Sequence, residues 1–308
     1  MKALILTDGK AGHENQSKAF ARAIGCDFDI IQVRFRSKMA KALSYLFDNM
    51  GVRTSALFGL SGTMPENGKY RVVIGTGSGT FYAAKTVSKM LNIPCAAILL
   101  PRGYELNSFD CILAPEFDNP PSKPNIIAIP VNLVASDASF YEAGVKAFRE
   151  KRDNVAEPGE AVAVIVGGPN KCSTMTPEWM RSQLEDIFSV HKAAGREIWV
   201  TTSRRTPPEV EAVVDSFPFD YKLLYSKDRF NPIPAFVSLA SHLYVTAEST
   251  GMLSEACSFG KAEVHVMDNL VPGPHKFRRF AEACARLGAE KVELSGKFAA
   301  AKALLRLD

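Results

Sequence analysis

Short apolar runs recur along this chain, and longer segments in which apolar residues return every three or four positions separate them. The runs are apolar at nearly every position, as in strands that are buried on both faces of a parallel sheet. Segments such as Glu14–Ile24 and Glu178–Ala194 have the spacing of helices that bury one face. This order predicts the α/β fold class, with parallel sheets covered by helices on both faces. The predicted strands are Ala3–Thr7, Ile30–Val33, Arg71–Gly75, Ala96–Leu100, Cys111–Ala114, Ile126–Ile129, Val162–Val166, Glu197–Thr201, Tyr221–Leu224, Leu243–Thr246 and Ala262–Val266.

A chain of 308 residues is long for a single hydrophobic core, so two domains are expected. The charged segment from Arg149 to Glu160 contains Pro158-Gly159 and separates one strand and helix series from the next. We interpret this segment as the interdomain linker. The prediction is an α/β domain over residues 1–155 and a second over residues 156–308, facing each other across a cleft.

Composition argues against several classes of protein. A net charge of +4 and a pI near 8.6 are too mildly basic to indicate nucleic-acid binding. The six cysteines form no Cys-x-x-Cys pair and no Cys/His cluster at metal spacing, so we expect thiols in a reducing compartment, no metal and no cofactor. The first apolar run is too short for a signal peptide, and no apolar segment reaches membrane-spanning length. We therefore expect a cytoplasmic protein, for which any membrane contact would be peripheral, at the inner face.

Ligands of parallel sheets bind beyond the carboxyl ends of the strands, so the loops there are the first places to search for a site. After the first predicted strand, glycines allow a tight turn, and His13 and Glu14 supply titratable groups where a helix begins. The alternative is an ordinary strand-to-helix turn with solvated polar residues. We predict that His13 or Glu14 is the catalytic base and that the neighbouring substrate contacts are Gly12, Asn15 and Gln16.

A second glycine-rich turn, Gly75–Thr80, follows another predicted strand. It is similar to a phosphate-cradling loop, although it lacks the Lys-Ser/Thr ending of a P-loop. Thr76 and Ser78 are candidate contacts to an acceptor or a phosphate. The alternative interpretation is a hydroxyl-rich helix cap.

In the second half of the chain, Gly167–Lys171 ends a predicted strand. Glycines there would let a diphosphate approach the backbone, and the predicted contacts are Gly168, Asn170 and Lys171. The alternative is a Gly-Gly-Pro turn with a solvated lysine.

Further along the chain, Thr206 and Glu209 predict a capping box with Pro207 at the first helical position. Ser203, Arg204 and Arg205 would stand just before that helix, which favours anion binding over two solvated surface arginines.

The segment Thr246–Ala256 carries the clearest ligand signal. It follows an apolar strand and begins a helix rich in hydroxyls and glycine, and such a helix start binds anions. A carboxylate one turn further in suits a sugar hydroxyl, so the segment predicts a nucleotide-sugar site; the alternative for Glu255 is an exposed helix residue. The predicted contact within this segment is Glu255.

Three other segments are interpreted more conservatively. The segment Arg34–Phe47 is basic at one end and apolar at the other. Such a segment can lie on an anionic membrane, but we favour an ordinary helix with its apolar side facing the core. Asp27-Phe28-Asp29 matches a metal-dependent transferase pattern but precedes its strand, at the wrong edge of the sheet. His265 is interpreted as a packed strand residue.

The motifs DGKAGHENQS, IVGGPNK, VTTSRRTP, VTAESTGMLSEACSFGK and KFRRF occur in that order. Together they resemble the family of mitochondrial fission proteins of the elongated-mitochondria type, over nearly the whole chain, and TTSRRTP is the most diagnostic motif. Two departures stand out. Gly75-Thr76-Gly77 replaces an expected Gly-Arg pair, and Glu248-Ser249-Thr250-Gly251-Met252 replaces an expected Asp-Ser-x-Ser-Met.

That family is similar in turn to the GT-B glycosyltransferases, in which two Rossmann-like domains enclose a cleft. The resemblance implies an acceptor side in residues 1–155 and a nucleotide-sugar side in residues 156–308. It also implies a ribose contact from Glu255, diphosphate contacts from Ser249, Thr250 and Gly251, and no requirement for a metal.

The predicted function is transfer of a sugar from a nucleotide-diphosphate donor to an acceptor that the sequence does not identify. One alternative is a nucleotide-sugar epimerase, which can share this fold. Another is a non-catalytic scaffold of the fission family that recruits protein partners.

Overall fold

The computed structural model describes residues 1–62, 65–134, 137–152 and 160–307. Strands and helices alternate along the chain, and the predicted α/β fold class is confirmed. The strands are β1 (Lys2–Thr7), β2 (Asp27–Phe35), β3 (Phe58–Leu60), β4 (Val72–Thr76), β5 (Cys95–Ile98), β6 (Cys111–Pro115), β7 (Ile126–Ile129), β8 (Ala161–Ile165), β9 (Glu197–Thr201), β10 (Tyr221–Leu223), β11 (Ala240–Thr246) and β12 (Glu263–Met267). The helices are α1 (Ala11–Ala23), α2 (Lys38–Asn49), α3 (Phe81–Leu91), α4 (Ala138–Lys151), α5 (Pro177–Ala193), α6 (Pro208–Ser216), α7 (Ile233–Leu239), α8 (Thr250–Ser258), α9 (Lys276–Leu287) and α10 (Ser295–Leu304).

The chain divides into two compact units. Unit 1 comprises residues 1–135 and 293–308, and unit 2 comprises residues 136–292. Each unit contains one sheet with helices on both faces, as in a Rossmann-like domain.

The sheet of unit 1 has seven strands in the order β3-β2-β1-β4-β5-β6-β7. All neighbouring strands pair in parallel except β3, which is antiparallel to β2 and was not predicted. Leu4 and Leu6 of β1 pack into one core with Phe81 of α3, whereas Ile5 packs into the opposite core with Phe20 of α1. Burial on both faces explains why these strands are apolar at every position.

The sheet of unit 2 has five parallel strands in the order β10-β9-β8-β11-β12. Val162 and Val164 of β8 pack on one face with Leu184 of α5. Trp199 of β9 packs with Phe148 of α4 and Phe236 of α7, at ring-centroid distances of 5.3 and 5.5 Å. Helices therefore cover both faces of this sheet as well.

The division between the units differs from the predicted boundary at residue 155. Helix α4 belongs to unit 2 because Phe148 is fully buried against Trp199, so the first unit ends before this helix. Helix α10 returns to unit 1, where Phe298 contacts Phe20 at 6.5 Å between ring centroids. Of the predicted linker, residues 153–159 lie outside the described residues.

Each sheet has one place where the strand order reverses. In unit 1, β1 and β4 are neighbours, and the chain proceeds outward from them in opposite directions; β8 and β11 have the same relation in unit 2. Ligands of open α/β sheets bind at these switch points, beyond the carboxyl ends of the strands. The loops singled out from the sequence after β1, β4, β8 and β11 therefore lie at the two switch points.

Helix α2 packs on the unit 1 core with only part of its apolar side chains. Its buried residues are Ala40, Ser44 and Asp48, and Asp48 is paired with Lys85 at 2.7 Å. Tyr45 and Phe47 pack, partly buried, on the unit 1 core, whereas four other apolar side chains form an exposed row, which we call the α2 apolar surface: Met39 (73% exposed), Leu43 (37%), Leu46 (55%) and Met50 (66%). The expected core-facing apolar side is therefore present only in part, because a buried ion pair occupies much of the inner side. No helix among the described residues is long and apolar enough to cross a membrane.

Candidate functional site

At the switch point of unit 1, an aspartate and a histidine form a pair. Asp8 follows β1 directly, and α1 begins at Ala11, so His13 lies in the first helical turn and turns its ring back to Asp8. Nδ1 of His13 is 3.1 Å from each carboxylate oxygen of Asp8. A carboxylate only accepts hydrogen bonds, so Nδ1 carries the proton and Nε2 is the basic nitrogen of the neutral ring.

Asp8 is held in its ionised form. Partial burial favours the protonated acid, but the hydrogen bond from Lys10 and the proximity of His13 outweigh it and hold the pKa of Asp8 below its usual value. The Lys10 ammonium donates to Asp8 Oδ2 at 2.8 Å. Sequence reasoning missed Asp8, although a carboxylate directly after a buried central strand is a signal that could have identified it.

The glycine-rich turn after β4 packs against this pair. Gly77 has φ +80°, and a Cβ added there would lie 2.3 Å from Cε1 of His13; one added at Gly79 would lie 2.7 Å from Cβ of Asp8. The glycines therefore make room for the Asp8–His13 pair, which is a different role from the phosphate cradle expected from the sequence.

The other residues predicted for unit 1 have different surroundings. Thr76 is buried and its hydroxyl lies 2.6 Å from that of Ser17, so its hydroxyl already has a partner within the protein, and a ligand contact there remains a prediction. Ser78 is half-buried and accepts a hydrogen bond from Lys41 at 3.2 Å. Glu14 is paired with Lys18 at 2.7 Å. The remaining three predicted residues lie along the start of α1. Gly12 and Asn15 are exposed, and Gln16 is half-buried.

At the switch point of unit 2, hydrogen bonds tie together three loops. Gly167 N–H donates to Thr246 Oγ1 at 2.9 Å, which links the ends of β8 and β11. The hydroxyl of Thr206, after β9, donates to the Gly167 carbonyl at 2.6 Å. The loops at the carboxyl ends of these three strands therefore form one connected surface.

Glu248 lies at the centre of this surface and was not predicted. It is only 3% exposed, and its Oε1 accepts hydrogen bonds from Gly168 N–H at 2.7 Å and Thr246 Oγ1 at 3.0 Å. Its Oε2 is buried and has no hydrogen-bond partner among the described residues. A buried carboxylate oxygen left unpaired is costly, so Oε2 is suited to accept a hydrogen bond from a ligand or from water.

Steric contacts require glycine at both positions after β8. A Cβ at Gly167 would lie 2.0 Å from Glu248 Oε1, and one at Gly168 would lie 2.2 Å from the carbonyl oxygen of Arg205. Both N–H groups are already donated within the protein. The N–H of Gly168 is thus engaged by Glu248, and a ligand contact at Gly168 remains a prediction.

The loop before α6 also differs from its prediction. The helix begins at Pro208, with Pro207 as the N-cap and no side-chain cap, so the capping box is wrong. The Thr206 hydroxyl instead donates a hydrogen bond to the Gly167 carbonyl and accepts one from Ser203 N–H at 2.9 Å. Arg204 and Arg205 are exposed beside it, so their guanidinium groups are accessible to an anion.

The remaining predicted residues lie on the loop after β8 and at the start of α8. Oδ1 of Asn170 accepts a hydrogen bond from Cys172 N–H at 2.7 Å, which fixes the local turn. Lys171 is exposed. Ser249 is the N-cap of α8, yet no side chain caps the helix, and a Cβ added at Gly251 would meet open space. The first turn of α8, which includes Thr250, is therefore accessible.

One turn further into α8, Glu255 is oriented by Tyr141 of α4. The Tyr141 hydroxyl donates to Glu255 Oε1 at 3.1 Å. Burial raises the pKa of Glu255 above its ordinary value, although the hydrogen bond from Tyr141 acts in the opposite sense. The Tyr141 ring packs against the tilted ring of Phe259 at 4.4 Å between centroids, and both rings line a groove of about 820 Å³.

Comparisons with known proteins agree with this architecture. The family described as mitochondrial fission ELM1 matches residues 11–298. Mitochondrial fission protein ELM1 of Arabidopsis thaliana is 23% identical over 216 residues, which cover 62% of this chain and 50% of that protein. The chain thus spans about half the length of this curated relative.

Among solved structures, the UDP-GlcNAc 2-epimerase from Methanocaldococcus jannaschii is similar with a TM-score of 0.52 at 14% identity, covering 100% of this chain and 98% of that one. MurG from Acinetobacter baumannii gives a TM-score of 0.47 at 10% identity, covering 100% and 99%. The epimerase shares the fold of two Rossmann-like units, and the GT-B-like fold class predicted from the sequence is confirmed. From the match over residues 11–298, the chain belongs to the mitochondrial fission ELM1 family.

Proposed function

We propose that this protein binds a nucleotide-diphosphate sugar through unit 2 and transfers the sugar to an acceptor hydroxyl. The observation that carries the proposal is the start of α8. An uncapped helix N-terminus and a carboxylate one turn further in, held by Tyr141, lie at the switch point of a Rossmann-like sheet. The helix start suits a diphosphate, and the carboxylate suits the hydroxyls of a ribose.

The surroundings of α8 supply the other contacts that such a donor needs. The exposed Arg204 and Arg205 can neutralise the diphosphate, and the unpartnered Oε2 of Glu248 can accept a hydroxyl or N–H group of the ligand. Tyr141, which donates to Glu255, also lines a groove together with Phe259, and these two rings can offer an aromatic wall to the nucleobase.

In the proposed reaction, His13 in unit 1 acts as the base. Nε2 takes the proton of the acceptor hydroxyl as that oxygen forms a bond to the anomeric carbon. The bond from the anomeric carbon to the diphosphate oxygen breaks, and the nucleoside diphosphate leaves with the electron pair. Asp8 stabilises the imidazolium that forms, and the α8 N-terminus with Arg204 and Arg205 stabilises the leaving group.

A thermal-shift screen of the full chain against nucleotides and nucleotide sugars tests binding. A ligand at about 100 times its dissociation constant adds about 2.7 kcal/mol of stability. We expect stabilisation by at least one nucleoside diphosphate and its sugar, and its loss in Glu255→Gln. Glu178→Gln, at an exposed glutamate in the first turn of α5, is the matched control and should retain the shift. An unshifted melting curve with every nucleotide would refute the proposal.

Product analysis then separates transfer from epimerisation, which the fold also accommodates. Release of nucleoside diphosphate only when acceptor is present supports transfer. If the sugar is epimerised in the absence of any acceptor, the reaction at this site is epimerisation and not transfer. A protein that binds no nucleotide and is recovered with a stable protein partner would support the scaffold function instead.

We further propose that the α2 apolar surface makes peripheral contact with an anionic membrane. Its four apolar side chains are exposed, and Arg34, Arg36 and Lys38 are exposed at the start of the same segment. Apolar insertion together with basic attraction is the combination that binds anionic lipid surfaces.

Co-sedimentation with vesicles tests this contact. The protein should bind vesicles that contain phosphatidylglycerol and not pure phosphatidylcholine, and the Leu43→Ser/Leu46→Ser variant should lose binding. Val190→Ser, which removes an exposed apolar side chain from α5, is the control and should bind normally. Equal recovery of the protein with and without anionic vesicles would end the membrane proposal.

A further inference from the structure

Three potential metal ligands meet on one face of the unit 2 sheet. Strands β11 and β12 pair in parallel with His242 opposite Glu263 and Tyr244 opposite His265. Side chains two positions apart on a strand point to the same face, so His242, Glu263 and His265 share a face. Nδ1 of His242 lies 3.0 Å from Nε2 of His265 and 3.6 Å from Glu263 Oε2, and Nε2 of His265 lies 3.9 Å from Glu263 Oε1.

These separations suit a single small cation. Ligand atoms that bind Zn²⁺ tetrahedrally at about 2.0–2.2 Å are roughly 3.3–3.5 Å apart. The three ligand atoms here lie within 4.8 Å of one another, with distances on both sides of that value. Two imidazoles and one carboxylate are a donor set that zinc and related divalent metals favour.

The surroundings orient one of the imidazoles. The His265 ring stacks on Tyr244 at 4.5 Å between centroids, and the Tyr244 hydroxyl lies 2.9 Å from Nε2 of His191. This supporting layer holds the His265 ring in place beside the cluster.

We propose that His242, Glu263 and His265 bind one divalent transition-metal ion, for which Zn²⁺ is the best geometric match. The side chains remain 19%, 47% and 31% exposed, so the ion can enter from solvent and keep an open position for water. His242 precedes Thr246 by four residues, or roughly 13 Å at about 3.3 Å per residue, so the cluster lies away from the switch point. The ion would join the edge strand β12 to β11, and the proposal does not depend on nucleotide-sugar binding.

A titration of the full chain, first stripped of metal by dialysis against a chelator, tests the site. We expect Zn²⁺ to saturate at one ion per chain and to raise the Tm, and Co²⁺ to give the visible absorption of tetrahedral coordination. His242→Ala/His265→Ala should lose both signals. His13→Ala, which removes a histidine from unit 1, is the matched control and should retain them.

The single variant Glu263→Gln tests the site independently, in case the double variant does not fold. Its side chain is half exposed, so the fold should persist while metal affinity falls by at least about 10-fold. Uptake that does not saturate in the wild-type protein, or saturable uptake that survives the double substitution, would show that the two histidines only hydrogen-bond to each other.

Discussion

Both carboxylate oxygens of Asp8 lie 3.1 Å from Nδ1 of His13, so the aspartate fixes which ring nitrogen is basic. On a donor and acceptor pair identified by the binding screen, we expect His13→Ala to lower kcat by about 10²–10⁴-fold. Asp8→Asn should have an effect in the same direction, because an amide can stabilise the other tautomer. Steady-state kinetics of purified variants measures both effects.

Glu14→Gln is the internal comparison for this prediction. Glu14 is occupied by Lys18 at 2.7 Å, so we expect its loss to leave kcat within a few-fold of the wild-type value. If kcat falls strongly in Glu14→Gln but stays near the wild-type value in His13→Ala, Glu14 and not His13 is the base.

Glycine is required after β8 for steric reasons. We predict that Gly167→Ala and Gly168→Ala each cost about 1–3 kcal/mol or more, because the added methyl group would overlap Glu248 and the Arg205 backbone. Gly12→Ala is the control, since open space surrounds its Cβ direction and alanine is the better helix former. Urea unfolding curves give the free energies, and equal stability of all three variants would contradict the packing described here.

Glu255 should make the stability of the protein depend on pH. Burial raises its pKa in the folded protein above the ordinary value of 4.5, so between these two values the folded state binds more protons than the unfolded state. The free energy of unfolding of the wild type, relative to Glu255→Gln, should therefore increase as the pH falls from neutral towards 4.5. Denaturant titrations at several pH values measure this difference, and a difference that shrinks on acidification has the wrong sign.

The buried ion pair under α2 should be important for stability. Lys85 and Asp48 are 2.7 Å apart with side chains 2% and 0% exposed, so Lys85→Ala leaves a buried carboxylate without its closest cation. We expect a cost of about 3–5 kcal/mol. Lys227→Ala, which removes a 67% exposed lysine paired with Asp215, should cost less than about 1 kcal/mol. Similar midpoints of urea unfolding for the two variants would show that the buried pair contributes little.

Most strands were predictable because burial on both faces makes them apolar at nearly every position, as in β1, β4, β6 and β8. Each predicted run overlaps an observed strand, whereas β3 was missed because Phe58-Gly59-Leu60 is too short to show a pattern. The exposed apolar row of α2 was not predicted, although Tyr45 and Phe47 pack on the core as expected. Its inner side is set by Lys85, which lies 37 residues after Asp48 in the sequence, and no local periodicity contains that contact.

The sequence predicts which loops form the candidate site, but it does not predict the hydrogen bonds within them. Parallel sheets bring the loops after β1, β4, β8 and β11 to switch points, and the sequence identifies those loops. Whether an N–H group there is free depends on the partner loop. Glu248 occupies the N–H of Gly168 from 80 residues away, and the spacing of glycines alone does not reveal it.

Helix α10 has a consequence for the order in which the protein is made. Ala301, Leu305 and Leu307 are buried in the unit 1 core with Phe20, although the 157 residues of unit 2, 136–292, separate the two parts of that core in sequence. At about 5–20 residues per second, a ribosome needs roughly 8–30 s to synthesise that intervening segment. During this time the nascent unit 1 exposes the apolar face that α10 later covers.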